Sequence, residues 1–307
     1  GYLDRLLLRI PAGDTTDFEL TGQLRNGRVR AHRGAPDASG LNGTVAMNRN
    51  TGYVELSPTE GQVRLGFPQL FQDEWSFRKV TGTVAWLLDG PVSRVYSDDI
   101  RLHYGDSTTL TGAFDLRLDR EGEDNLGLRV GIKDGRADML ADFVPAKVVN
   151  PGLYQWLTTA ITEARITEGV FYGHGQIGRD APRGSFVSSM WYTFEDATVR
   201  YDERWPEVTS ARGRVDIHNG NTEVQLASGR TGGLELGPSR VSVTPGDGTR
   251  LVVDAAARVP GDAIPFWMEN SPLGEMAGSE ARSLVYGGEY DLDLNLELAL
   301  VEAAQPV

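Results

Sequence analysis

Apolar and polar residues alternate along most of this chain. In Leu110-Thr111-Gly112-Ala113-Phe114-Asp115-Leu116-Arg117-Leu118-Asp119 the even positions are largely apolar and the odd ones mostly polar. Asp291-Leu292-Asp293-Leu294-Asn295-Leu296-Glu297-Leu298 repeats the period, with the leucines on one side and the acidic residues on the other. Leu126, Leu128, Val130 and Ile132 follow it too, as do Val215 with Ile217 and Val241 with Val243. A period of two marks a strand with one dry and one wet face, because successive Cβ atoms point to opposite sides of the pleated backbone. Turn formers separate these runs: Asn26-Gly27, Asn50-Thr51-Gly52, Asp89-Gly90, Asn219-Gly220 and Gly246-Asp247-Gly248. Most read as hairpin connections.

Helical spacing is scarce. Ala137 to Phe143 reads as a turn or two of helix, and Gly152 to Ala164 carries the best pattern, with Pro151 near its start. Its apolar face holds Leu153, Trp156, Leu157, Ala160 and Ile161. A third short helix is expected from Asp262 to Asn270. The two aromatic-bearing helices, with Trp156 and Leu157 and with Phe266 and Trp267, would brace the sheet or gate it. An apolar-polar-Gly-x-apolar unit recurs at Leu20–Leu24, Leu41–Val45, Val80–Val84 and Leu110–Phe114, and more weakly at Ala211–Val215. That recurrence suits hairpins stacked along an axis.

Two or three short helices cannot cover the apolar face of a dozen or more strands. The face must pack on a second sheet, close on itself, or stay a trough for an apolar ligand. Composition favours closure, whereas the meander of strands favours a long, curled antiparallel sheet with an open groove. The expected division is a β segment over 1–137, a helical insertion over 138–165, and a second β segment over 166–307 with its helix near 262–270.

Charge and candidate chemistry narrow the function. The 307 residues carry a net charge of −13, which argues against nucleic acid and against adsorption to anionic membranes. No cysteine is present, which removes thiol catalysis and Cys-held metals. No apolar run of 18 residues exists to span a bilayer, and the chain, lacking an initiator Met, reads as an internal fragment of a longer protein. Gly173-His174-Gly175-Gln176-Ile177-Gly178 spells a dinucleotide fingerprint, but Arg179-Asp180-Ala181-Pro182-Arg183-Gly184 after it is a loop where the mechanism needs a helix N-terminus. Asp291, Asp293, Asn295 and Glu297 imitate the odd positions of a calcium loop, yet Leu296 stands where that loop needs Gly. His32, His103, His174 and His218 are dispersed without ligand spacing. The acidic pairs Asp98-Asp99 and Glu195-Asp196 are ordinary in a chain with 43 acidic residues. No catalytic residue, metal site or cofactor is expected.

From Asp142 onward the order of motifs resembles a known family. Phe143-Val144-Pro145 is followed by Leu153-Tyr154-Gln155-Trp156-Leu157, Gly169-Val170-Phe171-Tyr172-Gly173-His174-Gly175, Phe194 to Tyr201, Arg204-Trp205-Pro206 and Ser271-Pro272-Leu273. This series resembles the central region of the AsmA-like YhdP family of Gram-negative envelope proteins, over about 140–300, with 1–139 matching in strand pattern. The resemblance implies a bridge-like lipid transporter: periplasmic, anchored in the inner membrane in its full-length form, and carrying phospholipid acyl chains in a β-groove towards the outer membrane. The residues expected to line the groove are Phe114, Leu116, Leu118, Leu128, Val130, Ile132, Val215, Ile217, Leu292, Leu294, Leu296 and Leu298. Envelope proteins are possible further partners. A non-enzymatic structural or assembly scaffold is the alternative. A carbohydrate-active β-protein, a third reading, would need two carboxylates facing across an aromatic cleft.

Overall fold

The computed structural model describes residues 1–13, 17–58, 62–178, 180–245 and 249–300. Among the described residues seventeen strands form hydrogen-bonded ladders, and the chain divides into two compact units. The first comprises Gly1–Gly135, Asp142–Asn150 and Val170–Ser188, and the second Arg136–Ala141, Pro151–Gly169 and the chain from Ser189 onward.

The first nine strands are β1 (Tyr2–Arg9), β2 (Glu19–Val29), β3 (Asp37–Met47), β4 (Thr51–Leu56), β5 (Val63–Gly66), β6 (Trp75–Asp89), β7 (Val92–Tyr104), β8 (Thr108–Asp119) and β9 (Asp124–Arg136). A 3-10 turn (Ala137–Met139) leads into α1 (Leu140–Phe143) and then α2 (Pro151–Ala160). Two long strands follow, β10 (Ile161–Ile177) and β11 (Phe186–Val199), and each supplies residues to both units. The second unit continues with β12 (Val208–His218), β13 (Asn221–Thr231), β14 (Leu234–Leu236), β15 (Ser239–Thr244) and β16 (Thr249–Pro260). It then forms α3 (Ile264–Asn270), α4 (Leu273–Arg282) and β17 (Glu289–Leu300). Most strands pair antiparallel with a neighbour one or two places along the chain, from β1 with β2 to β16 with β17; β1 also borders β10, nine places on. The mainly β, antiparallel, hairpin-linked fold expected from the alternation is the one observed.

Local chemistry explains the connections. Asn48 closes the β3–β4 hairpin, its side-chain oxygen accepting from the backbone N–H groups of Asn50 (2.9 Å) and Thr51 (2.8 Å). Asn219 and Gly220 form a two-residue turn between paired His218 and Asn221, with φ of +48° and +85°. Those are the values a type I′ hairpin turn demands. Asn26-Gly27 is different. It lies inside β2, where the pairing to β3 shifts between Leu24 and Gly27 and Asn26 takes φ +49°. An Asn-Gly pair suits a bulge as well as a turn, since both need a left-handed residue. Gly246-Asp247-Gly248 lies outside the described residues.

The helices differ in detail from the sequence expectation. α2 starts at Pro151, whose missing N–H costs nothing at a first position, and stops at Ala160 rather than Ala164. From Ile161 to Thr167 the β-branched, alternating residues enter β10 instead. α4 was not expected, because Gly274, Gly278 and Ser279 are weak helix formers, and it is kinked where Gly278 takes φ +80°.

Each unit has its own small core. In the first, Val63, Phe77, Val80, Leu102 and Leu110 are buried together. In the second, Phe194, Ala197, Ala211 and Val215 are.

Candidate apolar troughs

Strand register decides which side chains share a face. In the first unit, Leu8 pairs with Leu20, Leu20 with Met47, Met47 with Gly52 and Gly52 with Trp86. The row continues through Val95 and Leu116 to Leu126. Beside it, Phe114 pairs with Leu128, Gly112 with Val130 and Leu110 with Ile132, while Leu118 pairs with Ser93. The expected groove residues Phe114, Leu116, Leu118, Leu128, Val130 and Ile132 therefore lie on one face of one sheet. The rows between them alternate to the other face, where Arg94 pairs with Asp115 at 2.5 Å.

The second unit repeats the arrangement. Tyr192 pairs with Val215, Val215 with Val224, Val224 with Val241, Val241 with Val253 and Val253 with Leu296. A parallel row runs Met190, Ile217, Thr222, Val243, Leu251, Leu298. Ala255 and Ala257 pair with Leu294 and Leu292. Register so places Val215, Ile217, Leu292 and Leu294 on one face; Leu296 and Leu298 occupy matching register positions, and their side chains lie outside the described ones. The opposite face is ionic: Arg214 meets Asp216 at 2.6 Å, Arg240 meets Glu223 at 3.2 Å and Arg250 meets Glu297 at 2.6 Å. Arg214 also stacks 4.4 Å from the centre of the Trp191 ring, and hydrogen bonding to Arg214 holds the Asp216 carboxyl below the usual carboxylate range.

Glycine lets these faces curve. Gly22, Gly43, Gly82, Gly112 and Gly213, the centres of the recurring sequence unit, all occupy the apolar face by register. At Gly43 a Cβ would lie 2.2 Å from the Glu55 carbonyl oxygen, and at Gly213 it would lie 2.3 Å from that of Gln225. Bulges add bends, among them those between Thr81 and Ala85 in β6 and between Phe194 and Ala197 in β11.

The apolar faces are only partly covered. Leu116 is 4% exposed and Val215 6%, whereas Phe114, Leu118, Leu128, Val130, Ile132, Ile217 and Leu294 are half-buried and Leu292 is exposed. The chain exposes 19575 Å². Two separate compact globules of half its mass would expose about 15,000 Å² together.

One end of the first trough is filled. Phe67, Phe71, Trp75, Phe77, Tyr104 and Phe143 form a continuous aromatic cluster, with Trp75 and Phe143 stacked at 4.6 Å. Asp142 ties it down: its carbonyl oxygen accepts from the Trp75 indole at 2.9 Å, and its carboxylate accepts from the Tyr104 hydroxyl. In the second unit Trp205 and Trp267 pack at 6.3 Å, and the Trp156 indole donates to the Tyr201 carbonyl at 3.2 Å. In the sequence Phe143 stands out only as part of a motif. Its contact with Trp75, 68 positions away in sequence, leaves no local signal. Trp86, Val95 and Met47 were also missed, though each sits on an alternating run.

The other chemical motifs dissolve into strands. Gly173 to Ile177 lies within β10, and no helix begins among the described residues from 178 to 185. Asp291, Asn295 and Glu297 engage Arg258, Asp254 and Arg250 across the β16–β17 ladder. Among the described residues no group of three His, Asp or Glu side chains gathers to hold a metal, and no helix is long and apolar enough to cross a membrane.

Comparison with known proteins gives the family of the chain. The chain is 20% identical over 305 residues to the intermembrane phospholipid transporter YhdP of Escherichia coli (strain K12), covering 98% of this chain and 24% of the relative. It thus spans about a quarter of that protein's length. No solved structure matches it. Residues 1–306 match the family described as YhdP protein, and the chain belongs to that family.

Proposed function

We propose that this chain is a segment of an intermembrane phospholipid conduit, whose apolar sheet faces hold acyl chains while headgroups remain in water. The observation that carries the reading is the long apolar row of each unit, half-accessible along much of its length, backed by an ionic face. A buried methylene contributes about 0.8 kcal/mol, so a chain of about 16 carbons gains on the order of 10 kcal/mol in such a trough. Holding and passing an acyl chain requires no nucleophile, metal or cofactor. The relative's name supports phospholipid as cargo and the space between two membranes as the place of work. On this reading the full-length protein is periplasmic and anchored in the inner membrane, with acyl chains sliding along successive rows towards the outer membrane.

The test is native mass spectrometry and lipid photo-crosslinking of the full-length protein. Phospholipid should co-purify, and a crosslinker at Leu118 should capture it. Phe114→Asp with Leu128→Asp, which puts two charges on paired positions of one row, should reduce capture at Leu118 at least tenfold. Asp115→Asn, on the opposite face, should not. Lipid-free protein and unchanged capture would refute the conduit and favour an envelope scaffold.

A further inference from the structure

The apolar row of the second unit includes a hydroxyl. Tyr192 heads the row through Val215, Val224, Val241 and Val253, and its ring packs on the cluster of Phe194, Ala197, Ala211 and Val215. Its hydroxyl meets no hydrogen-bond partner among the described residues. The contrast is Tyr104, on the apolar face of the first unit, whose hydroxyl donates to Asp142. Nor is the Tyr192 hydroxyl walled in, since among the described residues the sealed side-chain polar atom without a partner is the Trp267 indole nitrogen. On this half-buried residue the hydroxyl therefore keeps some solvent access. Burial pushes its pKa up to about 12, so at neutral pH it is a proton donor.

Such a donor selects its acceptor. A bare hydrocarbon would cover the hydroxyl and leave it unsatisfied, which disfavours binding. A phosphate or carboxylate would need a cation, and on the β12 side of Tyr192 the row positions are Val215, Val224, Val241 and Val253. On the β10 side the hydrogen bonds of Thr193 to Thr167 and to the Glu168 carbonyl bring the acidic Glu168 opposite. Arg214 and Arg240 are on the opposite face, engaged by Asp216 and Glu223. The acceptor that suits such a donor on an apolar row is a neutral carbonyl attached to an apolar chain.

We propose that Tyr192 donates a hydrogen bond to the ester carbonyl of an acyl chain lying in the second unit's trough. It is thereby a positioning residue that fixes where the lipid's glycerol ester sits and favours ester-linked over ether-linked lipids. The proposal rests on the conduit reading above and adds a chemical selectivity to it.

The experiment uses the full-length protein with a benzophenone amino acid at Ile217, one row from Tyr192, so that crosslinks report this unit. The probes are a diacyl phosphatidylethanolamine and its dialkyl ether analogue, equal in chain length, competing in detergent micelles. The native residue should favour the ester probe about fivefold to tenfold, the ratio expected for one hydrogen bond to a neutral acceptor. Tyr192→Phe keeps the ring and its packing, and should bring that ratio to about one by losing ester capture while ether capture holds. A ratio near one with Tyr192 in place, or a preference that survives in Tyr192→Phe, overturns the Tyr192 proposal and leaves the conduit standing. Capture of neither probe overturns both.

Discussion

Two phenylalanines on the same apolar face provide the sharpest test of whether the first trough is uncovered. Phe77 is 1% exposed and lies 6.4 Å from the Trp75 ring and 5.9 Å from that of Tyr104. Phe114 pairs with Leu128 on the same face but is only half-buried. Truncating a fully enclosed Phe to Ala removes its transfer free energy and leaves a cavity, together about 3–5 kcal/mol. At Phe114 the ring already meets solvent on one side and no closed cavity remains, so the loss should be about 1–2 kcal/mol. Phe77→Ala should therefore exceed Phe114→Ala by about 2 kcal/mol. With a urea m-value of about 3 kcal/mol/M, that gap separates the two midpoints by somewhat less than about 1 M. Hydrogen exchange of amides in β6 to β8 across a urea series reads the first unit alone. Equal losses at the two positions would mean that another layer covers Phe114, and the trough would be an ordinary core.

Two further outcomes follow from particular groups. Gly43→Ala should destabilise the first unit by about 1–3 kcal/mol, since its Cβ would lie 2.2 Å from a carbonyl oxygen. Gly127→Ala, with nothing within 4 Å, should be near neutral, and comparable midpoints for the two would contradict the close approach. Tyr192 and Tyr201 should ionise late in an ultraviolet absorbance titration, each near pH 12, for burial raises both. Because the folded pKa lies above the unfolded value of about 10, the folded state holds more protons between the two. Their contribution to stability is then complete below about pH 10 and lost as pH rises through 12. A titration in which all ten tyrosines ionise together near pH 10 in the folded protein would refute that burial.

Much of this fold is written in a period of two. Leu110 to Asp119 and Asp291 to Leu298 reveal their strands because one face is apolar and the other charged, and register then places partners such as Phe114 and Leu128 side by side. Bulges are less visible: a single inserted residue at Asn26-Gly27 looks like a turn, and only pairing with β3 shows otherwise. Helix ends are equally obscure where propensities are balanced, as at Ala160 and across the glycines of α4. The aromatic cluster around Phe143 and the surroundings of the Tyr192 hydroxyl could not be anticipated. Both depend on which strands lie beside each other in three dimensions, and neither leaves a mark in local spacing.

The near-neighbour pairing of most strands, the border of β1 with β10 apart, has a consequence for how such a protein is made and changed. Strands that bond to the next strand, or the next but one, close only short loops, so folding can advance from one hairpin to the next without waiting for a distant partner. The same locality makes the hairpin a unit of growth. Inserting or deleting a pair of strands leaves the other ladders wired as before and changes chiefly the number of rows. A protein of this kind can be matched to a longer or shorter span by copying hairpins, with the chemistry of each face preserved.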